Sequence, residues 1–264
     1  MITSTANQQV KHLIQLNRKR KLRDEEGVFV AEGTKMFLEA PADRKIKAYF
    51  SESFFEKHGE EYVSEGLDFE VLKDSVFQAA SDTQSPQGVL CIVRQRQSSL
   101  EELLKAERPL LLLLENLQDP GNLGTILRSA EGAGVTGVIL GRGTVDLYNP
   151  KTIRSTMGSI YRVPTLYTED VCQTAQQLRS HGVRTFAAHL RGKTCYDQED
   201  YRGGTAFFIG NEGNGLSDEL SSRADTLIRI PMEGKLESLN AGVAASLLMY
   251  EAYRQRRDKS LYNL

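Results

Sequence analysis

The chain has 264 residues, 40% hydrophobic and 26% charged, with 33 basic side chains against 35 acidic. That balance excludes a disordered polyelectrolyte, and no apolar run approaches the ~18 residues of a membrane span. Three scattered cysteines (Cys91, Cys172, Cys195) without a CxxC, and four scattered histidines, support neither a disulfide scaffold nor a zinc cluster. The expectation is a reduced, soluble, cytoplasmic protein without a bound metal.

The first 23 residues carry Lys11, Arg18, Lys19, Arg20, Lys21 and Arg23 and no acid. Such a cluster can neutralise phosphates of a nucleic acid, or it is a solvated helix end with cations in its last turn. Ahead of it, Val10, Leu13, Ile14 and Leu16 are spaced for a helix. Strands are expected at 28–31, 46–50, 69–72 and 88–93, with helices after Gly33 and at 53–59. This α/β unit gives way to a polar, charged stretch, so residues 1–97 read as one domain and 98–108 as a linker. In the linker, Ser98-Ser99 caps a short helix.

From Pro109 the rhythm becomes strand, loop, helix, which argues a parallel sheet covered on both faces. Leu110 to Leu114 suits a strand buried on both sides. Further strands are expected at 137–140, 160–163, 185–188, 206–209 and 227–230. Helices are expected at 126–133, at 171–181 stopped by Gly182, and at 239–253. Ligands of such sheets sit at the loops after the strands' carboxyl ends, and three of those loops are unusual.

After the leucine strand comes ENLQDPGNLGTILRSAEGAG (115–134). There Pro120-Gly121 turns the chain, Asn122 can cap the following helix, and Arg128 lies on its first turns. After the 206–209 strand comes GNEGNGLSDEL (210–220), a G-x-x-G-x-G around Glu212. It is not the G-x-G-x-x-G of a dinucleotide fold, and an acid at its centre would repel pyrophosphate. After the 227–230 strand comes IPMEGKLESLNAGVAAS (230–246), in which Ser238 is the ordinary choice of N-cap. No phosphate-binding loop, no GxSxG and no Cys–His pattern occurs.

Together and in this order the three loops resemble the SpoU (TrmH-type) RNA ribose 2′-O-methyltransferases of the SPOUT superfamily. The N-x-G-x-x-x-R motif is met by Asn122, Gly124 and Arg128, the G-x-E-G-x-G motif by Gly210 to Gly215, and the I-P-M and S-L-N motif by Ile230 to Asn240. Asn149-Pro150-Lys151 to Met157-Gly158 fits the same family. The N-terminal unit is similar to the substrate-binding domain of such enzymes, an α/β fold akin to small RNA-binding ribosomal proteins.

The resemblance implies an α/β fold with a trefoil-knotted, parallel-sheet SPOUT domain over 109–264 and a smaller N-terminal α/β RNA-binding domain. It implies S-adenosyl-L-methionine as methyl donor, RNA as acceptor (ribosomal before transfer RNA), and a homodimer. Donor walls would come from Gly210, Ile230 and Leu239, with Met232 and Leu190 beside them. Catalytic roles fall to Arg128, Asn122, Glu212, Ser238 and Asn240. Glu212 would position Arg128 or Asn122, and Ser238 would support the pocket floor. Arg128 is the family's activator of the ribose hydroxyl. A guanidinium has no acceptor, so base catalysis and electrostatic stabilisation both stay open. Arg18, Lys19, Arg20, Lys21 and Arg23 are the candidate RNA contacts. The alternatives are an inactive RNA-binding relative and a SPOUT methyltransferase acting on a tRNA nucleotide.

Overall fold

The computed structural model describes residues 1–257 and groups them into two units, 1–96 with 146–161, and 97–145 with 162 onward. The last seven residues of the expected 109–264 domain lie outside the described residues. In the first unit, the Asn7 side chain accepts from the backbone N–H of Gln9 at 2.8 Å and starts α1 (Gln8–Arg18). Val10, Leu13 and Leu16 are buried along one face of α1. The backbone turns extended at Lys19 and a second helix, α2 (Arg20–Glu26), follows. Then come β1 (Val28–Glu32), α3 (Thr34–Glu39), β2 (Lys45–Ser51), α4 (Glu52–Tyr62), β3 (Phe69–Leu72), α5 (Asp74–Ala80) and β4 (Val89–Arg94). The sheet order is β1-β4-β2-β3, antiparallel except for β2–β3. Leu13, Leu16, Val30, Tyr49, Phe77 and Leu90 belong to its core.

The stretch expected as a linker carries α6 (Leu100–Leu103), capped by Ser99, and Leu103 is buried. The second unit continues with β5 (Leu110–Leu114), α7 (Pro120–Gly132) and β6 (Gly137–Gly141). Next in the chain is α8 (Pro150–Thr156), then β7 (Thr165–Thr168), α9 (Val171–Ser180), β8 (Arg184–Ala188), β9 (Thr194–Cys195), β10 (Thr205–Ile209), α10 (Asp218–Ser221), β11 (Thr226–Arg229) and α11 (Ala241–Arg256). Sheet order is β7-β6-β5-β10-β8-β11-β9, and every pairing is parallel. The five leucines of β5 lie between β6 and β10 and are all buried, which explains a run without alternation. Gly182, at φ 76°, follows α9 as the expected stop.

At the C-terminal end of α11, Arg256 donates to the carbonyls of Tyr201 (2.7 Å), Arg108 (2.9 Å) and Pro109 (3.3 Å). Burial pushes its guanidinium down to about 10, since the charged form is disfavoured away from water. Among the described residues no helix is long and apolar enough to cross a membrane.

Two expectations need correction. No strand forms at 160–163. Ser159–Tyr161 is a single 3-10 turn and the strand starts after Pro164, at Thr165. The apolar run there is buried as a turn, which periodicity cannot tell from a short strand. Arg23, grouped with the RNA contacts, is 3% exposed and forms an ion pair with Asp146. It also donates to the carbonyls of Leu16 and Asn17. Its charge is consumed inside the fold, so it meets no phosphate.

Asp146 belongs to residues 146–161, which fall within the unit expected from 109 but group with the first unit. Their aromatic side chains account for this. Tyr148 and Tyr161 stack on Phe29 with centroids 4.8 and 6.2 Å away. The Tyr148 hydroxyl donates to the Arg96 carbonyl (3.0 Å) and that of Tyr161 to Met36 (2.9 Å). Removing one partner of a buried pair strands the other, at a cost of about 3–5 kcal/mol. Asp146→Ala should therefore lower the urea midpoint strongly. Breaking the half-exposed Arg154–Asp82 pair by Arg154→Ala should cost under about 1 kcal/mol. Equal effects in the two variants would refute the anchoring role of Arg23.

Candidate active site

The site is built where β5, β10 and β11 end. Between β5 and α7 the cap is Asp119, not Asn122 as the motif suggested. An Asp119 side-chain oxygen accepts from the backbone N–H of Asn122 at 2.8 Å, and Pro120 takes the first helical position, where its missing N–H costs nothing. The side chain of Asn122, itself buried, is thereby left for other work.

The loop after β10 folds back on itself. Asn211 and Gly215 exchange backbone hydrogen bonds of 3.0 and 2.9 Å, and the Asn211 side chain accepts from the N–H groups of Gly213 (2.8 Å) and Asn214 (3.0 Å). A Cβ at Gly210 would lie 2.2 Å from the Gly215 carbonyl carbon, so only glycine permits the crossing. Glu212 stands in this loop and joins it to the first. Its Oε1 accepts from Asp119 N (3.0 Å) and Asn122 Nδ2 (2.9 Å), and its Oε2 from Gln118 N (3.0 Å). Burial works to raise its pKa, but the hydrogen bonds from Asn122, Gln118 and Asp119 outweigh it and hold the carboxyl below the usual glutamate value.

The third loop closes the chain of contacts. Asn122 Oδ1 accepts from Asn240 Nδ2 at 2.8 Å, and Asn240 Oδ1 accepts from the N–H groups of Gly242 (2.9 Å) and Val243 (3.2 Å), capping α11. The cap is thus Asn240. Ser238 is exposed and makes no hydrogen bond among the described residues, contrary to the capping expectation. Of the two partners proposed for Glu212, it holds Asn122. Arg128 lies exposed on α7, with no ion pair or hydrogen bond among the described residues. Gln118 and Asp119 were missed in the sequence. The signal for Asp119 was a cap residue directly before a proline at the first helical position.

The expected donor walls show chemistry suited to an adenosine. Ile230, Met232 and Leu239 are half-buried, and the backbone polar groups of Ile230 and Leu239 have no partner among the described residues. Apolar faces beside open backbone donors and acceptors fit a flat heterocycle with a hydrogen-bonding edge. Leu190 is 66% exposed on the turn after β8. Of the basic cluster, Arg18, Lys19, Arg20 and Lys21 are exposed. Arg20 and Lys21 occupy the first turn of α2, the end where the helix dipole disfavours cations, and each makes an exposed i,i+4 pair, with Asp24 at 3.4 Å and Glu25 at 3.7 Å, which offsets that cost.

A parallel α/β sheet with a polar chain across three carboxyl-end loops narrows the class, and comparison with known proteins gives the family. The SpoU rRNA methylase family model matches residues 109–250, and the MRM3-like substrate binding domain matches residues 7–91. The 23S rRNA (guanosine(2553)-2′-O)-methyltransferase RlmP of Bacillus subtilis (strain 168) is 31% identical over 250 residues, 94% of this chain and 97% of that protein. The AdoMet-bound rRNA methyltransferase from Sinorhizobium meliloti matches with a TM-score of 0.86 at 32% identity, over 97% of this chain and 98% of that one. The SpoU methyltransferase AviRb from Streptomyces viridochromogenes matches with a TM-score of 0.83 at 25% identity, over 95% and 98%. The chain belongs to the SpoU rRNA methylase family.

Glu212→Gln tests the polar chain. A carboxamide cannot accept from all three donors without turning its own NH₂ toward one of them, and an unsatisfied donor costs about 1–3 kcal/mol. Methyl transfer should fall about 5- to 150-fold on that scale, with donor affinity changing far less. Wild-type turnover in this variant would remove Glu212 from the machinery.

Proposed function

We propose that this protein is an S-adenosylmethionine-dependent methyltransferase acting on ribose 2′-hydroxyls of ribosomal RNA. The hydrogen-bonded chain Glu212–Asn122–Asn240 carries this reading, with Arg128, which has no partner among the described residues, on the same helix as Asn122. The near full-length relative named as a 23S rRNA 2′-O-methyltransferase supports ribosomal RNA over transfer RNA. An RNA substrate of that kind puts the enzyme in the cytoplasm. An inactive relative is disfavoured because all five polar motif residues, Asn122, Arg128, Glu212, Ser238 and Asn240, are present.

S-adenosylmethionine supplies a methyl group already activated by its sulfonium. The protein has to place a ribose oxygen in line with it and stabilise the charge that develops there. Ile230, Met232 and Leu239 with Gly210 would hold the donor. Glu212 and the α11 cap fix both carboxamides, leaving Asn122 and Asn240 one further N–H each for ribose or donor. Arg128 holds an RNA phosphate and neutralises developing alkoxide charge. Ser238, without a partner among the described residues, is left to meet donor or RNA. The knotted course of the loops around the donor is part of the same proposal.

A homodimer completes it. Val243, Leu247 and Tyr250 are 47%, 37% and 47% exposed at helical spacing on α11, an apolar stripe fit to be covered. α11 packs beside α7, as the Ser246–Ser129 hydroxyl contact of 2.8 Å shows.

Arg128→Ala should abolish transfer of labelled methyl to rRNA while calorimetry finds donor binding nearly unchanged. Arg128→Lys should fail as well, because a point charge does not replace a planar fork. Most activity surviving in the lysine variant would refute the positioning role.

Arg18, Lys19, Arg20 and Lys21 serve as RNA phosphate contacts in this reading. Each contact adds roughly 0.7–0.9 to the slope of log affinity against log salt. Neutralising Lys19, Arg20 and Lys21 together should flatten that slope by about two units. Donor affinity should not move, since the donor walls all lie in the other unit. An unchanged slope would return the cluster to a solvated helix end.

A further inference from the structure

A cavity of about 460 Å³ opens where β5, β6, β7 and β10 end, within the ~300–1,000 Å³ range of small-molecule sites. It shares no lining residue with the donor walls of the preceding section. Part of its lining is structural. Both oxygens of Glu115 are taken by Ser217, from N and Oγ at 2.7 Å each. The Asn211 carboxamide is taken by its own loop and by the Asn116 carbonyl, 2.9 Å from its Nδ2.

What remains open is specific in kind. Asn116 sits at φ 55°, and its Oδ1 accepts from Gln118 Nε2 at 2.8 Å, leaving its own NH₂ without a partner among the described residues. The side chain of Asn214 has no partner there either, and Arg142 has only a loose contact with Glu169 at 3.8 Å. Val171 and Leu216 add apolar surface. The carboxylates of Glu115 and Glu169 oppose an anion within the cavity. Two open carboxamides beside apolar walls complement a flat, neutral ring with donors and acceptors on its edge, and the guanidinium at Arg142 suits the adjoining phosphodiester.

We infer that this cavity binds an unpaired nucleobase of the RNA, one beside the methylated ribose, an inference that rests on the function proposed above. RNA sequence is read mostly from such splayed bases. Gln118 couples the two places. Its side chain holds Asn116, while its backbone N–H holds Glu212. A base seated against Asn116 therefore bears on the loop that orients Asn122.

The test uses the full-length protein with in vitro transcribed 23S rRNA. Asn116→Ala is avoided because alanine resists a positive φ; Asn214→Ala and Arg142→Ala are used. Asn214→Ala should weaken RNA binding about tenfold, the scale of one lost base contact, with an unchanged salt slope. Arg142→Ala should flatten that slope by about 0.7–0.9. Donor affinity by calorimetry should stay constant in both. After the methylated nucleotide is mapped by mass spectrometry, a synthetic segment with an abasic residue beside it should bind as weakly as Asn214→Ala binds the intact segment. On the abasic RNA the variant should lose nothing more. Unchanged RNA affinity and slope in both variants would overturn the inference, as would losses that multiply on the abasic RNA. A matching fall in donor affinity would overturn it too and assign the cavity to the donor. Absence of methyl transfer by the wild type is read before any variant. It would sink the functional reading itself, and this inference with it.

Discussion

At the carboxyl end of the large sheet, the loops after β5 and β10 are joined through one carboxylate with three donors. Glu212 can only accept, so Asn122 must present its NH₂ to it, and the Asn122 oxygen is left for Asn240. From the other end, the N–H groups of Gly242 and Val243 demand the Asn240 oxygen, which turns that NH₂ back toward Asn122. Both ends require the same orientation of both carboxamides, so a flip would lose two hydrogen bonds at Asn122 and three at Asn240. Amide orientation, usually an open choice, is here settled by the network.

Such a chain needs three loops at one end of one sheet. The parallel order β7-β6-β5-β10-β8-β11-β9 supplies it, because parallel strands deliver every following loop to the same edge. β5 and β10 are direct neighbours in register, Leu114 opposite Ile209, so the residues just beyond them, Glu115 to Asp119 and Gly210 to Glu212, meet at once. The crowding at Gly210 is the consequence of bringing a loop back over its own start.

Most of this was legible because each motif carries a local reason in its residue types. A carboxylate bracketed by glycines is a poor pyrophosphate cradle, and Pro120-Gly121 marks a turn. What the sequence hid was allocation between neighbours. Asp119 and Asn122 are both good caps three positions apart, and only the presence of Glu212 decides that Asn122 is spent elsewhere. Ser238 and Asn240 pose the same ambiguity. Arg23 looked like its basic neighbours because its partner, Asp146, lies 123 residues away. Residues 146–161 have no compositional break, and their grouping with the first unit depends on tyrosines meeting Phe29, a contact no local pattern encodes.

The absence of a histidine or a metal-like cluster from the motifs follows from the chemistry. A sulfonium brings its own leaving group, and what the reaction lacks is geometry. Geometry is cheapest to supply from groups that do not titrate near neutrality, and the carboxamides, the backbone amides, a glutamate held below its usual value and an arginine all qualify. The same choice explains why Gln118 serves two masters. With its backbone on Glu212 and its side chain spanning Asn116 and the Gly143 carbonyl (2.7 Å), it ties the loops after β5, β6 and β10 into one rigid piece. In the proposed reading, a surface that recognises the acceptor through Asn116 and a site that orients it through Asn122 then move together, and selectivity for an RNA acts directly on alignment of the ribose oxygen.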